Sequence, residues 1–170
     1  MMNYIVTFAG PPGSSKTPIA NYLSEKFYLP IFNNDSIRTE VTEDLLKFDE
    51  EEFRKRSMNR LVSLFKTGNS FILDGSIDRR WKIYQEEIIK SNYKVFIISL
   101  DLSRDFLVKL YKAKGYLESL NDIDKYIIEH QEFLLKYSSL VNLSINDQNF
   151  INRLKLIEEH LSHWLKNNGS

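Results

Sequence analysis

The segment Gly-Pro-Pro-Gly-Ser-Ser-Lys-Thr at residues 10–17 constrains the fold of this chain more than any other part of it. An apolar run over residues 4–9 precedes it, and apolar residues at helical spacing follow it. This is the strand, glycine-containing loop and helix of a P-loop, with the pattern G-x-x-x-x-G-K-[ST]. Such a loop turns backbone N–H groups towards phosphate oxygens, and the helix N-terminus adds the positive end of its dipole. The segment therefore predicts a site for a nucleotide phosphate.

The P-loop pattern assigns roles to its residues. We expect Lys16 to place its charge on the β- and γ-phosphates and the Thr17 hydroxyl to bind Mg²⁺. The remaining nucleotide contacts are expected from the loop residues Gly10, Gly13, Ser14 and Ser15.

Two residues depart from the usual pattern. Ser15 stands where glycine is common, and serine costs on the order of 1 kcal/mol if the backbone there needs a positive φ. Pro18 has no N–H, so one contact to the nucleotide is expected to be missing. We therefore expect a modest affinity for the nucleotide.

The composition limits the class of protein. The 170 residues include 23 basic and 23 acidic side chains and no cysteine, so disulfides and thiolate metal sites are excluded. The zero net charge argues weakly against long-range attraction to nucleic acid. No run has the length of a membrane span and no signal peptide precedes the first strand, so we expect a cytoplasmic protein without membrane contact. The histidines at positions 130, 160 and 163 are expected to be packing or surface residues.

Strand and helix patterns alternate along the whole chain. Apolar runs predict strands near residues 4–9, 30–33, 71–74 and 95–100, and an alternating pattern predicts an edge strand at 140–145. Helical patterns lie between them, and the last one is predicted near residues 147–166. We therefore predict one α/β domain over residues 1–170, with a five-stranded, mainly parallel sheet and helices on both faces.

Two further motifs follow predicted strands. Asp74 ends the third strand, where its carboxylate would hold Mg²⁺ directly or through water, although Asp-Gly is also a common turn. Asp35 and Arg38 share a helix face after the second strand. Asp35 could accept the proton of an attacking hydroxyl while Arg38 holds an anionic acceptor. The alternative is a helix cap at Asn34 or Asp35 with a local ion pair.

These residues together resemble the small P-loop kinases of the polynucleotide 5′-hydroxyl kinase, zeta-toxin-like and gluconate-kinase-like group. The matching segments are residues 10–17, 35–38, 73–75, 78–81 and 101–103. The resemblance implies the three-layer P-loop NTPase fold, with a small helical lid over about residues 103–137. It also implies ATP or GTP as phosphoryl donor, Mg²⁺ as cofactor, and Asp35 and Arg38 as catalytic residues beside Lys16.

The lid departs from that group because it is poor in arginine. Arg104 is followed only by Lys109, Lys112 and Lys114, and lysine lacks the planar fork of arginine. Arg104 is the predicted catalytic residue of the lid, and one of the lysines is the alternative.

A dense basic cluster leaves the acceptor open. Its members are Arg54, Lys55, Arg56 and Arg60. They could follow a nucleic-acid backbone, or they could compensate the acidic residues 49–52 on the same helix. The sequence thus predicts phosphoryl transfer to a hydroxyl, with a polynucleotide 5′-hydroxyl as the first acceptor. A small metabolite or nucleoside is the second, and a nucleotide-binding module with little turnover is the remaining alternative.

Overall fold

Five parallel strands form one sheet in the order β2-β3-β1-β4-β5 in the computed structural model, which describes residues 3–168. The strands are β1 (Tyr4–Ala9), β2 (Ile31–Asn33), β3 (Phe71–Ser76), β4 (Lys94–Leu100) and β5 (Val141–Ile145). The helices are α1 (Lys16–Phe27), α2 (Asn34–Leu45), α3 (Glu50–Lys66), α4 (Trp81–Lys90), α5 (Arg104–Lys114), α6 (Ile123–Tyr137) and α7 (Arg153–Asn168). Short 3-10 helices lie at Glu118–Asp122, Ser138–Leu140 and Phe150–Asn152.

Helices cover both faces of the sheet because neighbouring residues of its inner strands point to opposite sides. On β1, Val6 and Phe8 pack into a core with residues of α1, α5 and α7. Ile5 and Ala9 pack into the second core, with residues of α3, α4 and α6. The predicted fold class is therefore confirmed, and every strand pairing is parallel.

The helix ends largely follow the signals in the sequence. Asp49 caps α3 by accepting the Glu52 N–H at 2.9 Å, and Gly68 follows that helix with φ +70°. Ser103 caps α5 by accepting the Phe106 N–H at 3.2 Å. The start predicted for the last helix is wrong, because α7 begins only at Arg153. The Asn146 side chain accepts the N–H groups of residues 148 and 149 instead, and this local turn competes with helix.

The segment predicted as a lid consists of α5, a 3-10 turn and α6. The ring of Phe133 on α6 meets that of Trp81 edge to face, at 6.5 Å between centroids. Helix α5 ends beside the P-loop. Among residues 3–168, no helix combines the length and the apolar character that crossing a membrane requires.

Candidate active site

The P-loop joins β1 to α1, and three of its residues have a positive φ. Gly10 has φ +138° and Gly13 has φ +72°, and a Cβ on Gly13 would lie 2.7 Å from Cε1 of Tyr111. Glycine is therefore needed at position 13 for both its backbone and its size. Ser15 has φ +90°. The backbone strain expected for a serine with a positive φ at this position is therefore present.

Lys16 points back across the loop. Its Nζ donates to the carbonyl oxygens of Gly10 at 2.9 Å and Pro11 at 2.5 Å. Burial lowers the pKa of Lys16 to about 8, although the negative charges of Asp78 and Asp74 act in the opposite direction. The loop thus holds a poorly hydrated cation where the sequence places the β- and γ-phosphates.

Thr17 and Asp74 come together at the start of α1 and the end of β3. The Thr17 hydroxyl donates to Asp74 Oδ1 at 3.3 Å, and the Asn33 amide donates to Asp74 Oδ2 at 2.9 Å. Burial raises the pKa of Asp74, and its hydrogen bonds to Thr17 and Asn33 oppose that shift.

A hydroxyl beside a buried carboxylate fits Mg²⁺, which takes oxygen ligands and keeps several waters or phosphate oxygens. In the described part of the chain, no group of three or more histidine or acidic residues could hold a metal alone. The predicted metal ligands would therefore depend on the nucleotide's phosphates to complete the site.

A cavity of about 870 Å³ opens beside the P-loop, at the edge where β2 and β3 end. It brings together loop residues 12, 13 and 15–18, residues 33–35 at the end of β2 and the start of α2, and residues 73–76, 79 and 80 of β3 and the turn before α4. Asp35 and Arg38 both line it. Thr17 of the P-loop and Asp74 at the end of β3 lie 57 residues apart in the chain, and they belong to one site.

The cap of α2 is formed by another side chain, so the Asp35 carboxylate does not serve as the helix cap. Asn33, not Asn34 or Asp35, is the cap, since its side chain accepts the Asp35 N–H at 2.6 Å. The Asp35 carboxylate is exposed, and no ion pair joins it to Arg38 within residues 3–168. The alternative interpretation of Asp35 as a cap with a local ion pair is thus wrong.

Three arginines face this cavity, two of which the site prediction missed. The Arg38 guanidinium lies 4.2 Å from the Phe48 ring centroid and 4.9 Å from that of Phe53. Arg80 lies 5.8 Å from the same Phe53 ring, and Arg79 also pairs with Glu129 at 3.3 Å. Stacking on a ring fixes a guanidinium while its N–H edge stays available to an anion.

Arg104, predicted to act in catalysis, lies outside this cavity. Its guanidinium pairs with Asp124 through two contacts, at 2.6 and 3.2 Å, and it lines a separate cavity. Lys114, at the other end of α5, lines the P-loop cavity and donates to the Gly13 carbonyl at 2.7 Å. The role of Arg104 stays a prediction, and the geometry favours the alternative at Lys114.

The basic cluster on α3 is neutralised by nearby carboxylates. Arg56 contacts Glu40 at 2.9 Å, Asp44 at 2.5 Å and Glu52 at 2.8 Å. Arg60 also pairs with Glu40, and the partners of Arg54 and Lys55 are Glu50 and Glu52. The structure therefore favours the alternative in which these cations compensate acidic residues.

A buried polar network supports the loop from behind. Both Asp78 carboxylate oxygens accept the Gly10 N–H, at 3.2 and 3.1 Å, and Asp78 Oδ2 lies 3.2 Å from Nδ1 of His130. Nε2 of His130 lies 3.3 Å from the Ser99 hydroxyl. No pattern in the sequence indicates this link, because its members lie on four separate segments of the chain.

The five-stranded parallel sheet with helices on both faces matches the fold of solved P-loop kinases. No protein-family model and no curated protein sequence matches the chain. Solved structures do. APS kinase from Mycobacterium tuberculosis, in complex with AMPPNP and APS, aligns with a TM-score of 0.62 at 13% identity, covering 95% of this chain and 98% of that one.

Two further solved structures align with similar TM-scores and similar sequence identities. A putative kinase from Chloroflexus aurantiacus has a TM-score of 0.61 and 14% identity, with 95% of this chain and 97% of that one covered. Shikimate kinase from Aquifex aeolicus has a TM-score of 0.60 and 16% identity, covering 94% and 96%. At these identities the similarity is one of fold.

Proposed function

We propose that this protein is a Mg²⁺-dependent kinase that transfers the γ-phosphoryl group of ATP or GTP to a hydroxyl of a small anionic acceptor. The observation that carries the proposal is a single cavity lined by Lys16, the Thr17–Asp74 pair, Asp35 and three arginines. Phosphoryl transfer depends mostly on positioning and charge stabilisation, and this set provides both.

The residues divide the reaction between them. Asp35 accepts the proton of the acceptor hydroxyl, whose oxygen then forms the new bond to the γ-phosphorus. The bond from that phosphorus to the bridging oxygen breaks, and the nucleoside diphosphate leaves. Lys16 and Lys114 neutralise the phosphates, and Thr17 and Asp74 would hold Mg²⁺, which when bound offsets charge on the same oxygens.

The arginines indicate an acceptor with an anionic group. The guanidinium groups of Arg38 and Arg80 lie 4.9 and 5.8 Å from the Phe53 ring centroid, and neither forms an ion pair within residues 3–168. Such guanidinium groups suit a carboxylate, sulfate or phosphate. The names of two aligned structures, an APS kinase and a shikimate kinase, agree with small acceptors.

A polynucleotide 5′-hydroxyl remains the second candidate because of one feature. A groove of about 640 Å³ continues from Arg38, Arg79 and Arg80 along α3 to Arg54. A nucleic-acid strand could lie there with its 5′ end near Asp35. The neutralised cluster on α3 argues against a longer basic track.

Labelled γ-phosphate transfer tests the function. The protein receives Mg²⁺ and γ-labelled ATP with a pool of anionic metabolites, a pool of neutral sugars and nucleosides, or a 5′-hydroxyl oligonucleotide. Label on an anionic metabolite, lost in Lys16→Ala and Asp35→Asn, is the expected result. Label on the oligonucleotide that falls in Arg54→Ala would favour the second candidate. ATP binding without transfer to any pool would indicate a binding module.

A further inference from the structure

Arg153, the first residue of α7, reaches the P-loop from the far end of the chain. Its Nε donates to the Ser15 hydroxyl at 3.0 Å, and its Nη1 donates to the Phe150 carbonyl at 3.0 Å. The guanidinium lies 4.2 Å from the Phe150 ring centroid. These contacts hold the group in one orientation beside the residue that caps α1.

The charge of Arg153 has no counterpart among the described residues. No carboxylate within residues 3–168 lies within ion-pair distance of it, and its Nη2 makes no hydrogen bond to them. Arg153 is half-buried, and burial lowers its pKa. Lys114 shows the same trend, with a pKa lowered by burial and then by the charge of Arg153. Arg153, which is half-buried, and Lys114, which is exposed, are thus two cations beside one loop, and no carboxylate within residues 3–168 pairs with either of them. Both charges would attract an anion bound in the loop.

Pro18, three residues after Ser15, removes a donor from the first turn of α1. It is the third residue of α1, which begins at Lys16. The first N–H groups of a helix have no partner inside it and are the ones that bind phosphate. Proline fits the backbone there but contributes no N–H. The loop therefore offers a nucleotide one hydrogen bond fewer than the same loop with another residue at 18.

We propose that Arg153 binds the phosphate chain of the nucleotide and replaces the hydrogen bond that Pro18 cannot make. This inference rests on the proposed function, since it requires a nucleotide in the P-loop. It also gives Ser15 a purpose. The serine accepts a left-handed backbone that glycine would adopt more easily, and its hydroxyl holds the guanidinium in place.

The experiment is a double-mutant cycle measured by isothermal titration calorimetry with Mg-ATP and with Mg-tripolyphosphate. Arg153→Ala is expected to weaken both ligands by about ten-fold or more, as for a lost hydrogen bond between charged groups. In the Pro18→Ala background, where the N–H is restored, the loss from Arg153→Ala should shrink to about three-fold or less. Arg153→Lys keeps a positive charge and a good helix former but loses the planar guanidinium group, and its affinities should lie between those of the wild type and Arg153→Ala.

Controls separate this contact from general charge and from folding. Lys155→Ala removes a cation two residues further along α7, from a side chain that is 81% exposed, and should leave both affinities unchanged. Thermal unfolding of each variant shows whether it is folded at the titration temperature. If Arg153→Ala does not fold, the Arg153→Lys cycle decides by the same criterion.

The outcomes also separate this inference from the proposed function. ATP binding that Lys16→Ala leaves intact would overturn both. Binding that needs Lys16 but not Arg153, or an equal loss in both Pro18 backgrounds, would overturn the inference alone. A loss seen with ATP but not with tripolyphosphate would place Arg153 on the nucleoside and overturn it as well.

Discussion

Lys16 should make the free protein less stable at neutral pH. Its pKa falls from 10.5 to about 8 because burial opposes the charge. By linkage, that difference corresponds to about 3 kcal/mol of lost stability below pH 8. Lys16→Met removes the buried charge but also two hydrogen bonds to loop carbonyls, which are worth about 1 kcal/mol each. We therefore expect the variant to be about 1–2 kcal/mol more stable at pH 7.

The pH dependence of the stability of the wild type and of Lys16→Met provides the sharper measurement. Between pH 8 and 10.5 the unfolded chain keeps the Lys16 proton that the folded protein has released, so the stability of the wild type rises with pH. About 2 kcal/mol should return by pH 10, and the variant should lose its advantage. Urea unfolding of both proteins at pH 7 and pH 10 gives the difference between their free energies of unfolding. The titration of the tyrosines largely cancels in this difference, because both proteins contain the same tyrosines.

An exposed lysine provides the matched control for this pair. Lys155→Met on α7 removes a cation that is 81% exposed, and its stability difference from the wild type should not change between pH 7 and pH 10. A Lys16→Met variant that is less stable than the wild type at pH 7, by an amount that stays constant to pH 10, would refute the reasoning.

Three further substitutions test other parts of the site. Gly13→Ala should lower the free energy of unfolding by about 2–4 kcal/mol, since its Cβ meets the Tyr111 ring at 2.7 Å on a left-handed backbone, and Tyr111→Leu should recover part of that loss in denaturant titrations. Asp78→Asn should cost about 2–3 kcal/mol of unfolding free energy and lower the Lys16 pKa further, as seen by NMR of labelled lysine, because the Asp78 charge raises it. Arg80→Ala should raise KM for the acceptor about ten-fold and leave ATP affinity unchanged in steady-state kinetics and calorimetry.

Four of the strands were predictable because each is a short apolar run, and the fifth because apolar and polar residues alternate along it. The predicted edge strand shows why periodicity works, since Ile145 is buried while its neighbour Ser144 is exposed. The start of α7 was not predictable from periodicity alone. Phe150 continues the apolar spacing of that helix but lies in a 3-10 turn, because Asn146 binds the following backbone through its side chain.

The site was predictable where its members lie in one motif or at the end of a strand. The structure brings Lys16, Thr17 and Asp74 together at the edge that parallel strands share. Contacts between distant segments were not predictable. Arg153 meets Ser15 across 138 residues, and Lys114 meets Gly13 across 101. Neither separation leaves a pattern in one sequence, since both depend on how α5 and α7 pack around the loop.

The layout of charge explains how a chain with no net charge can present a strongly basic site. Carboxylates of α2 and α3 neutralise the arginines on the outer side, as at Arg56, so those cations add little to any long-range field. Inside the cavity Arg38 and Arg80 rest on aromatic rings instead of carboxylates and keep their charge for a ligand. An anion would therefore be recognised by short-range, directional contacts rather than by steering from a distance. This arrangement suits a compact acceptor with one or two charges better than a long polyanion, whose affinity would need an unpaired basic track.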